Sequence, residues 1–289
     1  MNKINIDRVP HNCALKLQAV YDKLKSAEKK AADFIMQYPD QIEALSIVDF
    51  AERAGCSEAT IVRLSKRIGY DGYPELKADF RPSESRNGLF DYQDLRLDDT
   101  PQEVARKVFN SAAQAILDTA NVLDQAAYEG ALDALCSAGK IMFCGVGNGA
   151  VVSQEAYYRW CRIGFPAMMS ADPDIQLMQA AQLKKGDVLV AISHSGQTKT
   201  LLTVVNQAIG SGAVVVAITN FPFSALAKRA SFVLQTAVFS TYISGEIMSK
   251  RIAELCVVES LFVNFLMRQK DKYIEQLTLS NESLKINKA

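Results

Sequence analysis

Residues 188–212 read VLVAISHSGQTKTLLTVVNQAIGSG, and this stretch decides how the rest of the chain is read. Val188–Ile192 is a short apolar run without polar alternation, the pattern of a strand buried on both faces. A loop of Ser193, His194, Ser195, Gly196, Gln197 and Thr198 follows, and a helical stretch begins at Lys199. Three hydroxyls (Ser193, Ser195, Thr198) and the flexible Gly196 therefore stand just before a helix N-terminus. That end presents unsatisfied N–H groups and the positive pole of the helix dipole, so it can hold a phosphate without help from Arg or Lys. His194, inside the same loop, can reach a sugar or orient the loop.

Four further apolar runs flank this one: Ile141–Cys144, Ala167–Met169, Val214–Ile218 and Phe232–Leu234, with helical spacing between them. Such β-α alternation predicts a doubly wound α/β domain with a five-stranded parallel sheet covered on both faces. After the first run comes Gly145-Val-Gly-Asn-Gly-Ala150. This matches the G-x-G-x-x-A form of the dinucleotide fingerprint, with Asp172 following 27 residues after Gly145. An NAD-binding Rossmann enzyme is thus a rival reading. A dinucleotide fold, however, sets its pyrophosphate on the first loop and has no use for the second.

Upstream the pattern is helical. In SIVDFAERAGCSEATIVRLSKRIGY (residues 46–70), Ser46 and Asp49 resemble a capping box that starts a helix at Ile47. Phe50, Ala51 and Ala54 share one face of it, and Gly55 supplies the chain reversal. Ser57 caps a second helix, with Glu58 in its first turn and Ile61, Leu64 and Ile68 as its buried stripe. Two short helices about a glycine turn, with small Ala51 at the crossing, predict a helix-turn-helix whose second helix enters the major groove. Ser57, Thr60, Arg63, Lys66 and Arg67 are the candidate DNA contacts. Residues 57–69 hold three bases against one acid. SAEKKAADFIMQY (residues 26–38), with Ala27, Ala31, Phe34, Ile35 and Tyr38 at helical spacing, supplies a packing helix. Tyr70, Tyr73 and Lys77 can pack over the hairpin or touch DNA backbone. The expected organisation is an all-α DNA-binding domain over 1–80, a polar linker over 81–101 and the α/β domain over 102–289.

Composition is that of an ordinary globular chain: 289 residues, 49% apolar, 22% charged, with Lys+Arg and Asp+Glu both at 32. Bulk charge selects neither DNA nor membrane. No apolar run approaches the roughly 18 residues of a membrane span, and residues 1–20 lack a signal-peptide core, so a cytoplasmic protein is expected. Six scattered cysteines without a CxxC pair fit a reducing compartment, and two histidines make a metal site improbable.

Taken together, Ile192-Ser-His-Ser-Gly-Gln-Thr198 resembles the phosphosugar signature of sugar isomerase (SIS) domains, and Gly145-Val-Gly-Asn-Gly resembles their first, ligand-wrapping loop. Joined to the helix-turn-helix, the chain resembles the RpiR family of bacterial sugar-metabolism regulators. The resemblance implies a flavodoxin-like strand order, a homodimer or dimer of dimers, a palindromic operator and a phosphorylated sugar that alters DNA affinity. It places Gly147 and Asn148 against the sugar and Ser193, Ser195 and Thr198 on the phosphate, beside Gly196 and His194. Family members often carry Asp-x-His-x-Gln after the second strand. This chain reads Asp172-Pro-Asp174-Ile-Gln176, so sugar identity does not transfer. An isomerase, the other alternative, needs a general base, for which Glu246 and His194 are candidates. No base, orienting partner and ring-opening acid assemble, so no enzyme and no cofactor are expected. Glu246 stands as a sugar contact before the amphipathic helix 247–267. The basic pair Lys250 and Arg251 opposes the dipole of that helix, which requires a partner: ligand phosphate, an acid of a second subunit, or solvent.

Overall fold

A computed structural model describes residues 24–80, 98–238 and 248–287, with isolated positions between 9 and 21. Most of the expected linker and the candidate Glu246 lie outside the described residues. The chain divides into two compact units, one within Met1–Ser111 and one built from Ala112–Val238 and Met248–Ala289.

The first unit is helical: α1 (Ser26–Gln37), α2 (Pro39–Ile42), α3 (Ile47–Ala54), α4 (Glu58–Arg67) and α5 (Tyr73–Asp79). The rings of Phe34, Phe50 and Tyr73 run through its centre, Phe34 to Phe50 at 5.4 Å and Phe50 to Tyr73 at 5.5 Å. Phe50 is fully buried, a burial that stabilises by about 1.5–3 kcal/mol. The inner face of α1 carries Ala31, Ala32, Phe34, Ile35 and Met36, together with the carboxylate of Glu28. Ala27, expected inside, is exposed, because the stripe winds over Glu28 instead.

The helix α6 (Pro101–Val122) begins in the first unit and ends in the second. The second unit continues with α7 (Gln125–Ser137), β1 (Ile141–Gly145), α8 (Asn148–Arg162), β2 (Ala167–Met169) and α9 (Pro173–Ala181). It ends with β3 (Val188–Ile192), α10 (Lys199–Gly210), β4 (Val214–Thr219), β5 (Phe232–Gln235) and α11 (Met248–Ser283). All strand pairings are parallel, in the order β2-β1-β3-β4-β5. This is the flavodoxin-like order, and all five expected strands are present.

β1 and β3 are buried along their whole length. Alternate residues of β3 serve opposite faces. Val188, Val190 and Ile192 join the core under α7, α8 and α11, while Leu189 and Ala191 join the core under α9 and α10. That division is why the run shows no polar alternation. Trp160 anchors the first core, its ring 5.1 Å from Phe143 and 5.0 Å from Phe262. Burial pushes the thiols of Cys13 and Cys144 up to about 12, so both behave as small apolar groups. Cys161 and Cys256 are exposed. Among the described residues no helix is long and apolar enough to cross a membrane.

Candidate functional site

The candidate DNA-reading face lies within the first unit. Ser46 Oγ accepts the Asp49 N–H at 3.1 Å and donates to its carboxylate at 2.6 Å, which starts α3 and holds that carboxyl below the usual range. Gly55 ends α3 at φ +65, with open space where a Cβ would stand, so conformation and not room requires glycine there. Ser57 Oγ then accepts the Thr60 N–H at 3.3 Å and starts α4. Ile61, Leu64 and Ile68 are buried.

The candidate DNA contacts separate into three groups. Arg63 and Lys66 are exposed on the outer face of α4, with Ser57 at its cap. Arg67 leans back on Glu28 of α1, Nε to Oε1 at 3.6 Å, and that carboxylate is 4% exposed. Thr60 is a correction to the expected outer face: only 2% of it is exposed. Its hydroxyl lies 2.9 Å from Ser57 Oγ and accepts from Arg63 at 3.1 Å. The buried surface of α4 takes in Thr60 and Ser65 beside the apolar stripe, wider than i, i+3, i+7 suggests. Tyr73 donates to the Leu45 carbonyl at 2.9 Å, and Lys77 donates to the same oxygen at 2.8 Å. Tyr70 donates to Asp79. All three thus fasten the end of the hairpin.

The second site lies at the carboxyl edge of the sheet. β1 leads outward to β2, while β3 leads the other way to β4, so the loops after β1 and β3 face each other at the topological switch point. Ligands of doubly wound sheets bind in that crevice. Glycine sets its width. A Cβ on Gly149 would stand 2.5 Å from the Ile192 carbonyl oxygen, and one on Gly145 would stand 2.4 Å from Gly149. Gly147 turns the chain at φ +59 and leaves Asn148 to open α8.

Across the crevice, Ser193 Oγ accepts the Gly196 N–H at 3.1 Å and lies 3.2 Å from Thr198 Oγ1. The loop is pinned from below, where the His194 carbonyl accepts from Thr219 Oγ1 and from the Asn220 N–H, both at 3.1 Å. His194 stands edge-on to Phe221 at 5.6 Å. Gly196 has φ +59, and a Cβ on it would overlap Ser224. Ser195 is exposed and Thr198 half-buried. Thr198 precedes α10 without a side-chain cap bond, so the first-turn N–H groups are not claimed by the cap residue. The structure brings Gly147, Asn148, Ser193, Ser195, Gly196 and Thr198 to the two loops of one crevice.

The neighbouring acids have structural duties. Asp172 accepts the N–H groups of Asp174 and Ile175 at 2.9 and 3.0 Å, capping α9. That gives Asp172 a structural duty at the end of β2, whatever the crevice holds. Asp174 is exposed. Gln176 is buried and donates to the carbonyls of Gly145 and Ser170, tying the ends of β1 and β2 together.

Comparison with known proteins bears on both parts of the chain. Residues 11–86 match the helix-turn-helix domain of the rpiR family, and residues 134–264 match the SIS domain. The HTH-type transcriptional regulator TTE0211 of Caldanaerobacter subterraneus is 32% identical over 91% of this chain and 93% of its own. The chain belongs to the RpiR family. Another relative within reach of this RpiR chain is the regulator HexR of Escherichia coli, 30% identical over 95% of this chain and 94% of its own. The bifunctional protein glk of Burkholderia thailandensis is 33% identical over 88% of this chain, which spans only 40% of that protein. Among solved structures, the Vibrio vulnificus NanR protein complexed with ManNAc-6P superposes with a TM-score of 0.63, at 24% identity, covering 93% of this chain and 97% of that one.

Three residues near the crevice stand outside the candidate sugar contacts, although a ligand phosphate was one of three partners open to the basic pair Lys250 and Arg251. Gln176 is described above. Arg251 of α11 donates to Asn148 Oδ1 at 2.5 Å, which gives one member of the basic pair a partner within the same chain. Glu254, one turn on, is 2% exposed, and burial pushes its carboxyl up to about 8 against the pull of Lys250 and Arg251.

Proposed function

We propose that this RpiR chain is a DNA-binding transcription regulator of sugar metabolism, and that a phosphorylated sugar in the switch-point crevice sets its operator affinity. The observation that carries the reading is the set of hydroxyls on Ser193, Ser195 and Thr198 ahead of a helix whose cap leaves its first turn open. The phosphate sits on that loop, and the sugar extends toward Gly147, Asn148 and His194. Arg63 and Lys66 meet DNA, with Ser57 at the backbone, while Arg67 serves chiefly to hold α4 on α1.

The regulator acts as a homodimer on a palindromic operator, in the cytoplasm and without catalysis. A groove of about 730 Å³ between α8 and α11, lined by Val151, Met169, Ile252, Leu255 and Cys256, supports self-association. Val151, Tyr158 and Met248 are each about half exposed nearby. A second copy of the same face is the occupant, to be checked by sedentation-independent mass measurement such as light scattering.

Ligand coupling of about 1–3 kcal/mol changes operator affinity roughly 5–150-fold, enough for a switch. Thermal melting against a panel of sugar phosphates tests the site, with amino-sugar phosphates included because NanR holds one and with NAD and unphosphorylated sugars as controls. One selective sugar phosphate is expected to raise the melting point, to alter retardation of the operator fragment and to remain unconverted. Ser195→Glu is expected to abolish the melting response and leave DNA binding intact. A normal response from that variant would show the phosphate lies elsewhere.

A further inference from the structure

The inner stripe of α11 runs Lys250, Ala253, Glu254, Val257, Val258, Leu261, Phe262 and Phe265. All but the first turns are apolar. The two charged positions fall at the end where Asn148 opens α8, beside the crevice. Burying a carboxyl and an ammonium in a helix–sheet interface is costly unless something uses them. Glu254 Oε1 is buried and accepts no hydrogen bond. Arg251, three residues before it, spends a short hydrogen bond on Asn148 Oδ1 instead.

We propose that Arg251 is a positioning residue for the sugar-facing Asn148, and that ligand capture of Asn148 returns Arg251 to Glu254, which gives up its proton. This rests on the reading of the crevice as the sugar-phosphate site. In the unliganded chain Arg251 holds the Asn148 amide in place, and Glu254 remains a carboxylic acid. When a sugar hydroxyl takes the Asn148 oxygen, the guanidinium turns to the carboxyl one turn along the same helix. The Glu254 O–H bond breaks, the proton passes to solvent, and the carboxylate accepts from Arg251. Among the described residues the charges acting on Glu254 are those of Lys250 and Arg251, on its own helix. Of the elements packed on α11, α8 carries Glu155, Arg159 and Arg162, α7 carries Glu129 and Asp133, β4 carries none, and the 3-10 turn Leu284–Asn287 at the far end carries Lys285, paired with Glu282. Arg159 is engaged by Glu155 and Glu259, Arg162 by Asn281, and Asp133 by Arg268. None of them competes for the Glu254 carboxyl.

The mechanism requires the unliganded carboxyl to hold its proton near neutral pH, in line with its upward shift to about 8. Ligand binding then lowers that value, so affinity rises with pH, by at most roughly tenfold per pH unit.

The test is calorimetric titration of the full chain with the sugar phosphates of the melting panel and with inorganic phosphate, near pH 6 and pH 8, in two buffers of different ionisation enthalpy. Wild type is expected to release a proton on binding a sugar phosphate and to bind it more tightly near pH 8. Arg251→Gln is expected to weaken the sugar phosphate at least tenfold and inorganic phosphate less than twofold, with Arg251→Lys recovering part of the loss. Glu254→Gln is expected to remove the part of the proton release and pH dependence that inorganic phosphate does not share. Should Arg251→Gln prove unfolded by circular dichroism, Asn148→Ala replaces it, with the same loss of sugar affinity and proton release expected. Sugar-phosphate binding unchanged in these variants, or proton release retained in Glu254→Gln, overturns this inference alone. A wild type that prefers no sugar phosphate to inorganic phosphate overturns the site reading, and this inference with it.

Discussion

Replacing Gly149 with alanine should damage the second unit more than its one added methyl group suggests. The new Cβ would stand 2.5 Å from the Ile192 carbonyl oxygen. Ordinary contact begins near 3.4 Å, so α8 and β3 must part by about 0.9 Å. Neither side yields easily. Ile192 is paired to Gly145 on one flank and to Ile218 on the other, in the middle of the sheet. The first turn of α8 is tied by Ser153 Oγ donating to the Gly149 carbonyl at 2.8 Å. Overpacking of this kind costs about 1–3 kcal/mol, and backbone against backbone belongs in the upper part of that range. For a unit of this size each kcal/mol lowers the melting point by about 2–4 °C, so calorimetry should read a loss of roughly 4–12 °C. Moving α8 also carries Asn148 away from the crevice, so sugar-phosphate affinity should fall in parallel. Gly130→Ala is the control. Its Cβ would come equally close, 2.3 Å, but to Cε1 of the half-buried Phe232 ring on the edge strand β5. A ring can turn aside, and alanine in mid-helix regains about 0.5–1 kcal/mol over glycine. A Gly149→Ala protein that melts with wild type, or above Gly130→Ala, would refute the close-approach reasoning.

Three other outcomes are expected. Ser57→Ala removes the acceptor for the Thr60 N–H and should destabilise the first unit by about 1 kcal/mol, read by denaturant titration; an unchanged midpoint would remove the cap from the account. Arg63→Ala should weaken operator binding and lower the salt slope by about 1, whereas Arg67→Ala should chiefly lower stability, by about 1 kcal/mol, through the stranded Glu28; the reverse pattern in retardation and melting assays would make Arg67 the reader. Because the folded Glu254 carboxyl lies near 8 against an ordinary 4.5, its contribution is fully present below about 4.5 and is lost as pH rises through about 8, at roughly 1.4 kcal/mol per unit. Glu254→Gln should therefore flatten the melting profile over that window, and a profile parallel to wild type would show that the carboxyl is already ionised.

Local chemistry was legible and long-range chemistry was not. The caps at Ser46 and Ser57, the left-handed Gly55 and all five strands lie in signals a few residues long, and the structure holds each in place. Thr60 was misplaced because a polar residue next to a capping serine can turn inward and be satisfied there. Glu28 is buried by a partner 39 positions away, which no periodicity reports. Arg251 finds Asn148 across 103 positions, a partner that was not among the three the sequence offered for the basic pair. Glu254 could have been noticed: Lys250 and Glu254 fall on the same stripe as Val257, Leu261 and Phe265, and charge on an apolar stripe is a local anomaly.

The geometry of the crevice bears on the proposed sensor reading. Its walls are set by backbone: Gly145 and Gly149 against the end of β3, Gly196 against Ser224, and the His194 carbonyl against Thr219 and Asn220. Gly145, Gly149 and Gly196 leave no room for a Cβ, so these walls resist closer approach. At the rim of the crevice, Asn148 is bonded to another helix. Through Arg251 it reaches α11, which packs on α8 around Trp160, Phe262 and Phe265. Under the proposed coupling, release of Arg251 from Asn148 would remove the α8–α11 bond at the crevice end, while the ring cluster still packs the two helices together farther along. On the proposed reading, occupancy of the crevice would thereby reach the exposed apolar groove between α8 and α11, where a second copy would register it.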